Sequence, residues 1–90
     1  MLDNLEKLIK IIRVKKSSSP DESYTKKLLN DKKLSVAKVK EEIAELIESV
    51  DQNSNKIHEA TDVIYHLMVY LEANNIKIED VMTELKERQK

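Results

Sequence analysis

Residues 57–71 limit most tightly what this chain can fold into. At about 100° per residue, Ile57, Ala60, Ile64, Leu67, Met68 and Leu71 share one helical face, and Val63, Tyr65, Val69 and Tyr70 cover most of the remaining circumference. A helix apolar nearly all round belongs in the middle of a bundle or across an oligomer interface. Yet Glu59, Asp62 and His66, spaced i, i+3, i+7, run along it as a polar stripe. Carboxylates carried into an interior are costly unless they are paired or bound to a metal.

A second acidic cluster, Glu41-Glu42-x-x-Glu45, lies on the preceding helix, across the polar stretch Asp51-Gln52-Asn53-Ser54-Asn55. Residues three apart on a helix share a face, so Glu42 pairs with Glu45 and Glu59 with Asp62. If the two helices run antiparallel, four oxygen-rich side chains converge on one spot, as a hard cation such as Mg²⁺ requires. The competing reading is two solvated faces, the usual fate of acidic runs. On the first of these helices, Val36, Val39, Ile43, Leu46 and Val50 repeat at 3-4-3-4 spacing, widened by Ile47, with Ser35 as the expected cap. Glu42 flanks that stripe, and Glu45 and Glu41 stand further round. His66 is either a hydrogen-bonded core residue or a substrate contact, and His58 reads as surface.

The rest of the chain supplies the walls. Leu2, Leu5, Leu8, Ile9 and Ile12 mark an amphipathic first helix over 2–14, followed by a connector over 15–20, Lys15-Lys16-Ser17-Ser18-Ser19-Pro20. That connector is either a mobile link or a basic loop that closes over phosphates. Ser19, Pro20 and Glu22 have the order of a cap, a first helical residue and a capping box for a second helix ending near Leu29. Asn74-Asn75 closes the long apolar helix, and a last helix over 78–88 is expected to bury Ile78, Val81, Met82 and Leu85.

With no glycine, one proline, 37% charged residues and no Phe or Trp, the 90-residue chain reads as one soluble all-α domain, a compact bundle of four to five helices with an aliphatic core. A net charge of −1 argues against a nucleic-acid partner. The absence of cysteine fits the cytoplasm. No signal-peptide pattern opens the sequence, and the longest near-apolar run, Val63 to Leu71, is too short to span a bilayer.

The pattern EExxE, a gap, then ExxD resembles the all-α nucleoside triphosphate pyrophosphohydrolases, the MazG-like group. Within that group Ser23-Tyr24-Thr25-x-x-Leu28, Lys38-Val39-x-Glu41-Glu42-x-x-Glu45, Glu59-Ala60-x-Asp62-x-x-Tyr65-His66-Leu67 and Ile76-x-Ile78-Glu79-Asp80-Val81 resemble the phosphoribosyl-ATP pyrophosphatase family over residues 20–88. The resemblance implies Mg²⁺-dependent hydrolysis of phosphoribosyl-ATP to phosphoribosyl-AMP and pyrophosphate, a step of histidine biosynthesis, with Mn²⁺ as an alternative ion. It implies metal ligation by Glu42, Glu45, Glu59 and Asp62, with Glu41 as general base or outer support. Tyr24, Lys26 and Lys38 become substrate contacts. Lys40 departs from the glycine usual before the double glutamate.

Two other readings compete: a house-cleaning nucleotide pyrophosphohydrolase with the same metal site, and a non-enzymatic helical interaction module. The all-round apolarity of 57–71 leads us to expect a homodimer, since four short helices cannot cover it.

Overall fold

In the computed structural model, residues 1–17 and 23–89 are described. They form five helices: α1 (Asp3–Ser17), α2 (Tyr24–Asn30), α3 (Lys32–Gln52), α4 (Lys56–Ala73) and α5 (Ile78–Arg88). No strand occurs among the described residues. The expected all-α bundle is observed.

Short side chains set the breaks between helices. Ser23 starts α2 by accepting from the Lys26 amide, and Asp31 starts α3 by accepting from the Leu34 amide at 3.0 Å. The cap expected at Ser35 is therefore four residues too late; Ser35 lies inside α3, buried. In a chain without glycine the left-handed positions fall to asparagine: Asn53, Asn55 and Asn75 have φ of 52°, 54° and 59°. Asparagine bears that conformation better than other residues with a β-carbon. Asn53 and Asn75 close α3 and α4 as a helix-ending glycine would, with Ser54 and Ile76 amides reaching back to the Ser49 and Leu71 carbonyls.

The first helix runs further than its sequence suggests. Lys15, Lys16 and Ser17 are helical, not part of a connector. Ser17 Oγ donates back to the Arg13 carbonyl, and the Lys26 ammonium donates to the carbonyls of Lys15 and Lys16 at 3.0 and 3.3 Å. Those contacts satisfy acceptors that a helix end leaves open. The expected cap at Ser19, Pro20 and Glu22 lies outside the described residues.

α4 is the central element, packing against α1, α2 and α3. Its core contacts lie on one side: Ile9 and Ile12 of α1, Leu28 and Leu29 of α2, and Met68 and Val69 of α4. The three-residue turn 53–55 folds α4 back along α3, which makes the pair antiparallel. On α3 the most buried positions are not aliphatic. The buried residues of α3 are Ser35, Glu42 and Ser49, seven apart, while Ile43, Ile47 and Val50 are exposed. The stripe expected to face the core is thus divided: Val36, Val39 and Leu46 are half-buried, and the rest is exposed. Serine at two of the three seam positions fits a close approach of the backbones, and Ser49 meets its own hydrogen-bond need by donating to Leu46 O.

α5 is the most loosely attached helix. Ile78 packs on the core and Val81 is half-buried, but Met82 and Leu85 are exposed, contrary to expectation. An arginine anchors its start. Arg13 donates through Nε to Glu72 at 3.0 Å, and through Nη1 and Nη2 to the two Glu79 oxygens at 2.8 and 2.6 Å. That fork holds the Glu79 carboxyl down at about 2, from an ordinary 4.5.

A carboxyl with a lowered folded value stabilises above its unfolded value and loses that contribution as pH falls through the folded one. The Tm difference between the protein and Glu79→Gln should therefore be largest above about pH 4.5 and close near pH 2. A thermal melt series across that window checks it; a gap that persists at pH 2 contradicts the assignment.

Candidate active site

The antiparallel register brings the two acidic clusters face to face. Glu42, Glu45 and Glu59 each offer a carboxylate oxygen within 4.8 Å of the others, and His58, Glu59 and Asp62 form a second such trio. Glu59 belongs to both. The four carboxylates read from the motif spacing thus lie in two adjoining groups along the α3–α4 seam.

Charge balance at this seam is incomplete. Glu42 is buried, and its Oε2 has no hydrogen-bond partner among the described residues; the same holds for Glu59 Oε2. Burial, then the neighbouring Glu45 carboxylate, pushes the Glu42 carboxyl above its ordinary range. Glu59 is raised by the same two causes in the same order. Buried oxygens without a donor, aimed at other carboxylates, cost stability in a purely structural role. They are what a hard divalent cation with oxygen ligands needs, so the donor set fits Mg²⁺ or Mn²⁺.

The surrounding residues divide into those on the rim and those turned away. Glu41 is exposed and ion-paired to Lys38 at 3.0 Å, outside both trios. Lys38 sits at the rim on α3, half-buried. Tyr24 opens α2 and its phenol faces the same region, close enough to Lys38, Glu42 and Glu41 to feel their charges. Lys26 does not suit a substrate contact: it is buried, and its ammonium serves the end of α1. His66 is buried as well, with Nδ1 2.8 Å from the Asp62 carbonyl and Nε2 3.0 Å from Tyr24 Oη. A direct substrate contact from His66 does not fit a ring committed on both nitrogens; it reaches the site through Tyr24.

His58 was not expected near the site. It is exposed, but its Nε2 lies 3.4 Å from Asp62 Oδ2, and it joins the second trio. The signal was present as the i, i+4 spacing of His58 and Asp62, which places both on one face.

Comparison with known proteins accords with this geometry. The family model described as phosphoribosyl-ATP pyrophosphohydrolase matches residues 5–89, from within α1 to beyond α5. A phosphoribosyl-ATP pyrophosphatase of Allorhizobium ampelinum is 39% identical over 87 residues, covering 93% of this chain and 84% of that protein. One from Rhodopirellula baltica is 35% identical over 91 residues, covering 94% and 76%. The histidine biosynthesis trifunctional protein of Kluyveromyces lactis is 41% identical over 78 residues, 87% of this chain but 10% of that far longer protein. The chain belongs to the phosphoribosyl-ATP pyrophosphohydrolase family, and the match extends the resemblance read over residues 20–88 back through most of α1.

The raised Glu42 carboxyl sets the sign of a stability effect. Protons bind it more tightly in the fold, so its penalty is absent below the unfolded value and complete above the raised one. Metal-free Glu42→Gln should be at least as stable as the parent near neutrality, by up to about 2 kcal/mol. The advantage should shrink as pH falls towards the ordinary carboxylate range. Chemical denaturation in the presence of a chelator measures it.

Proposed function

We propose that this protein hydrolyses phosphoribosyl-ATP to phosphoribosyl-AMP and pyrophosphate, a step in histidine biosynthesis, with a divalent cation held by Glu42, Glu45, Glu59 and Asp62. Membership of the family supports the reaction, since the relatives are named for it. The observation that carries the metal assignment is the pair of unpartnered carboxylate oxygens on Glu42 and Glu59 in the seam between α3 and α4.

The chemistry asks for three things. A triphosphate repels an incoming hydroxide, and the bound cation supplies neutralising charge and a more acidic water. Water then attacks the α-phosphorus, the bond to the bridging oxygen breaks, and pyrophosphate leaves. The attacking water gives up a proton to a carboxylate; Glu41, solvent-accessible and outside the ligand trios, is the acceptor we assign. Lys38 at the rim offers a positive charge to the phosphates, and Tyr24 bounds the approach. No covalent nucleophile is required.

We place the reaction in the cytoplasm, in keeping with a chain that has no cysteine. Among the described residues no helix is long and apolar enough to cross a membrane. We also propose a homodimer. Its support is the apolar face left open on the α3–α4 pair: Ile43 at 42%, Ile47 at 59%, Val50 at 56%, Ile57 at 85% and Ile64 at 43% exposure. Several large apolar side chains left exposed on two packed helices favour an association face.

Pyrophosphate release from phosphoribosyl-ATP, with and without Mg²⁺, tests the reaction. Asp62→Asn and Glu59→Gln should fold, lose most of the turnover and lose Mg²⁺-induced stabilisation. For a single site at 100 times its Kd that stabilisation is about 2.7 kcal/mol. Glu48→Gln, an exposed residue whose carboxylate accepts from the Gln52 amide, should behave as the parent. Near-normal turnover of both motif variants at saturating Mg²⁺ would remove the metal reading. Ordinary dNTPs turned over in preference to phosphoribosyl-ATP would instead favour a house-cleaning enzyme.

The dimer has its own measurement. Sedimentation of Ile47→Asp should show a monomer at concentrations where the parent is a dimer, and the parent's Tm should rise with concentration. A parent that sediments as a monomer at micromolar concentration contradicts the assignment.

A further inference from the structure

The chain contains three aromatic rings besides histidine, Tyr24, Tyr65 and Tyr70, and no Phe or Trp. Of these Tyr24 is exposed, at 45%; Tyr65 and Tyr70 are half-buried. Tyr24 is nevertheless not a loose surface residue. Its ring lies nearly parallel to Tyr65, 6.3 Å between centroids and 16° between planes, and Tyr65 backs it from α4. Its edge meets the His66 ring at 5.8 Å and 76°.

The hydroxyl is fixed by a chain of forced donors and acceptors. The Asp62 carbonyl can only accept, so His66 Nδ1 carries the proton that bridges the 2.8 Å between them. In the neutral ring Nε2 is then an acceptor, and Tyr24 O–H donates to it across 3.0 Å. The neighbouring Thr25 hydroxyl is hydrogen-bonded to the Tyr65 hydroxyl, so consecutive residues of α2 are latched to consecutive residues of α4. Asp62, the origin of this chain, belongs to the acidic trio. One backbone carbonyl thus ties the orientation of the exposed ring to the turn of α4 that carries the acidic site.

A ring held at this rigidity, open to solvent beside Lys38 and the acidic cluster, has little to contribute to the core. We propose that Tyr24 is the stacking platform for the purine of the nucleotide, and that His66 is a positioning residue that holds Tyr24 in that pose. The proposal rests on the nucleotide-hydrolysing reading above and adds where the base is recognised. Base stacking is tolerant of substituents on the purine edge, because it uses the π-face and leaves the edge free. The phosphates are bound separately, at the acidic seam and Lys38. Recognition is then divided between a base-dependent and a base-independent half.

That division makes the test. Two probes, α,β-methylene-ATP and inorganic tripolyphosphate, carry comparable phosphates, but only the first carries a base. Calorimetric titration of each, with Mg²⁺, into the parent, Tyr24→Leu, Tyr24→Phe and His66→Gln gives the affinities. Tyr24→Leu should weaken α,β-methylene-ATP by about 5- to 140-fold, as expected for losing one base-stacking contact, and leave tripolyphosphate within about two-fold. Phenylalanine should restore most of the loss, because it keeps the ring. His66→Gln should fall between, again with tripolyphosphate unmoved. A merely structural Tyr24 predicts that both probes weaken together, and that result overturns the proposal. So does an unchanged affinity for α,β-methylene-ATP in Tyr24→Leu, or a parent that binds neither probe. Turnover of phosphoribosyl-ATP is a separate readout: a parent that discriminates the two probes through Tyr24 but does not hydrolyse phosphoribosyl-ATP would refute the substrate assignment alone.

Discussion

Carboxylates crowded into the seam between two helices are the constraint to which the rest of this structure answers. Glu42 and Glu59 each hold an oxygen away from water without a donor, and Glu45 adds a third negative charge within 4.8 Å. Burial first, and then the repulsion of like charges at that separation, raises the Glu42 and Glu59 carboxyls. A helix pair with such a seam cannot stabilise itself. It needs apolar burial elsewhere, and α4 obtains it further along, where Met68 and Val69 join residues of α1 and α2 in the core. The near-complete apolar circumference of α4 fits this arrangement: a helix with partners on several sides can carry an unfavourable seam on one of them.

The same logic explains why small polar residues accompany the acids on α3. Ser35 and Ser49 stand seven residues either side of Glu42, on the face turned to α4, and both are buried. A leucine or isoleucine at those positions would hold the backbones further apart and separate Glu42 and Glu45 from Glu59. Part of the aliphatic stripe of α3 is turned outward as a consequence. Ile43, Ile47 and Val50 at i, i+4 and i+7 form an exposed stripe, the observation on which the proposed homodimer rests.

Element type was legible in the sequence because helical periodicity, asparagine at the breaks and the absence of glycine all agreed. Both acidic clusters were legible too, since i, i+3 spacing fixes which side chains share a face whatever the helix packs against. The direction in which α3 faces was not. Its apolar stripe is stronger than its serine–glutamate seam, and periodicity alone assigns the stronger stripe to the interior. That inference holds for a monomer with an aliphatic core and fails when polar atoms belong inside. The end of α1 was misread for a related reason. Lys15-Lys16-Ser17 has the composition of a connector, but a buried lysine from another helix, Lys26, caps its carbonyls, and no local pattern announces a contact 10 or 11 residues away. His58 was set aside because an exposed histidine is ordinary, although its spacing from Asp62 was visible.

The latch between α2 and α4 shows how a small chain without glycine loops can still hold a surface side chain to one pose. Enzymes of larger size often fix ligand-facing residues by burying the segment that bears them. Here α2 has only seven residues, of which Leu28 and Leu29 face the core. Its first turn is held instead by directional bonds, Tyr24 to His66 and Thr25 to Tyr65, in which every donor has one acceptor. Apolar burial would tolerate small rotations of the ring; a hydrogen bond whose angle matters does not. Because the His66 end of that latch is the Asp62 carbonyl, a rotation of α4 that moved the acidic turn would carry the Tyr24 ring with it. Directional bonds thus tie the Tyr24 ring of α2 to the turn of α4 that carries Asp62, while Glu42 and Glu45 approach from α3.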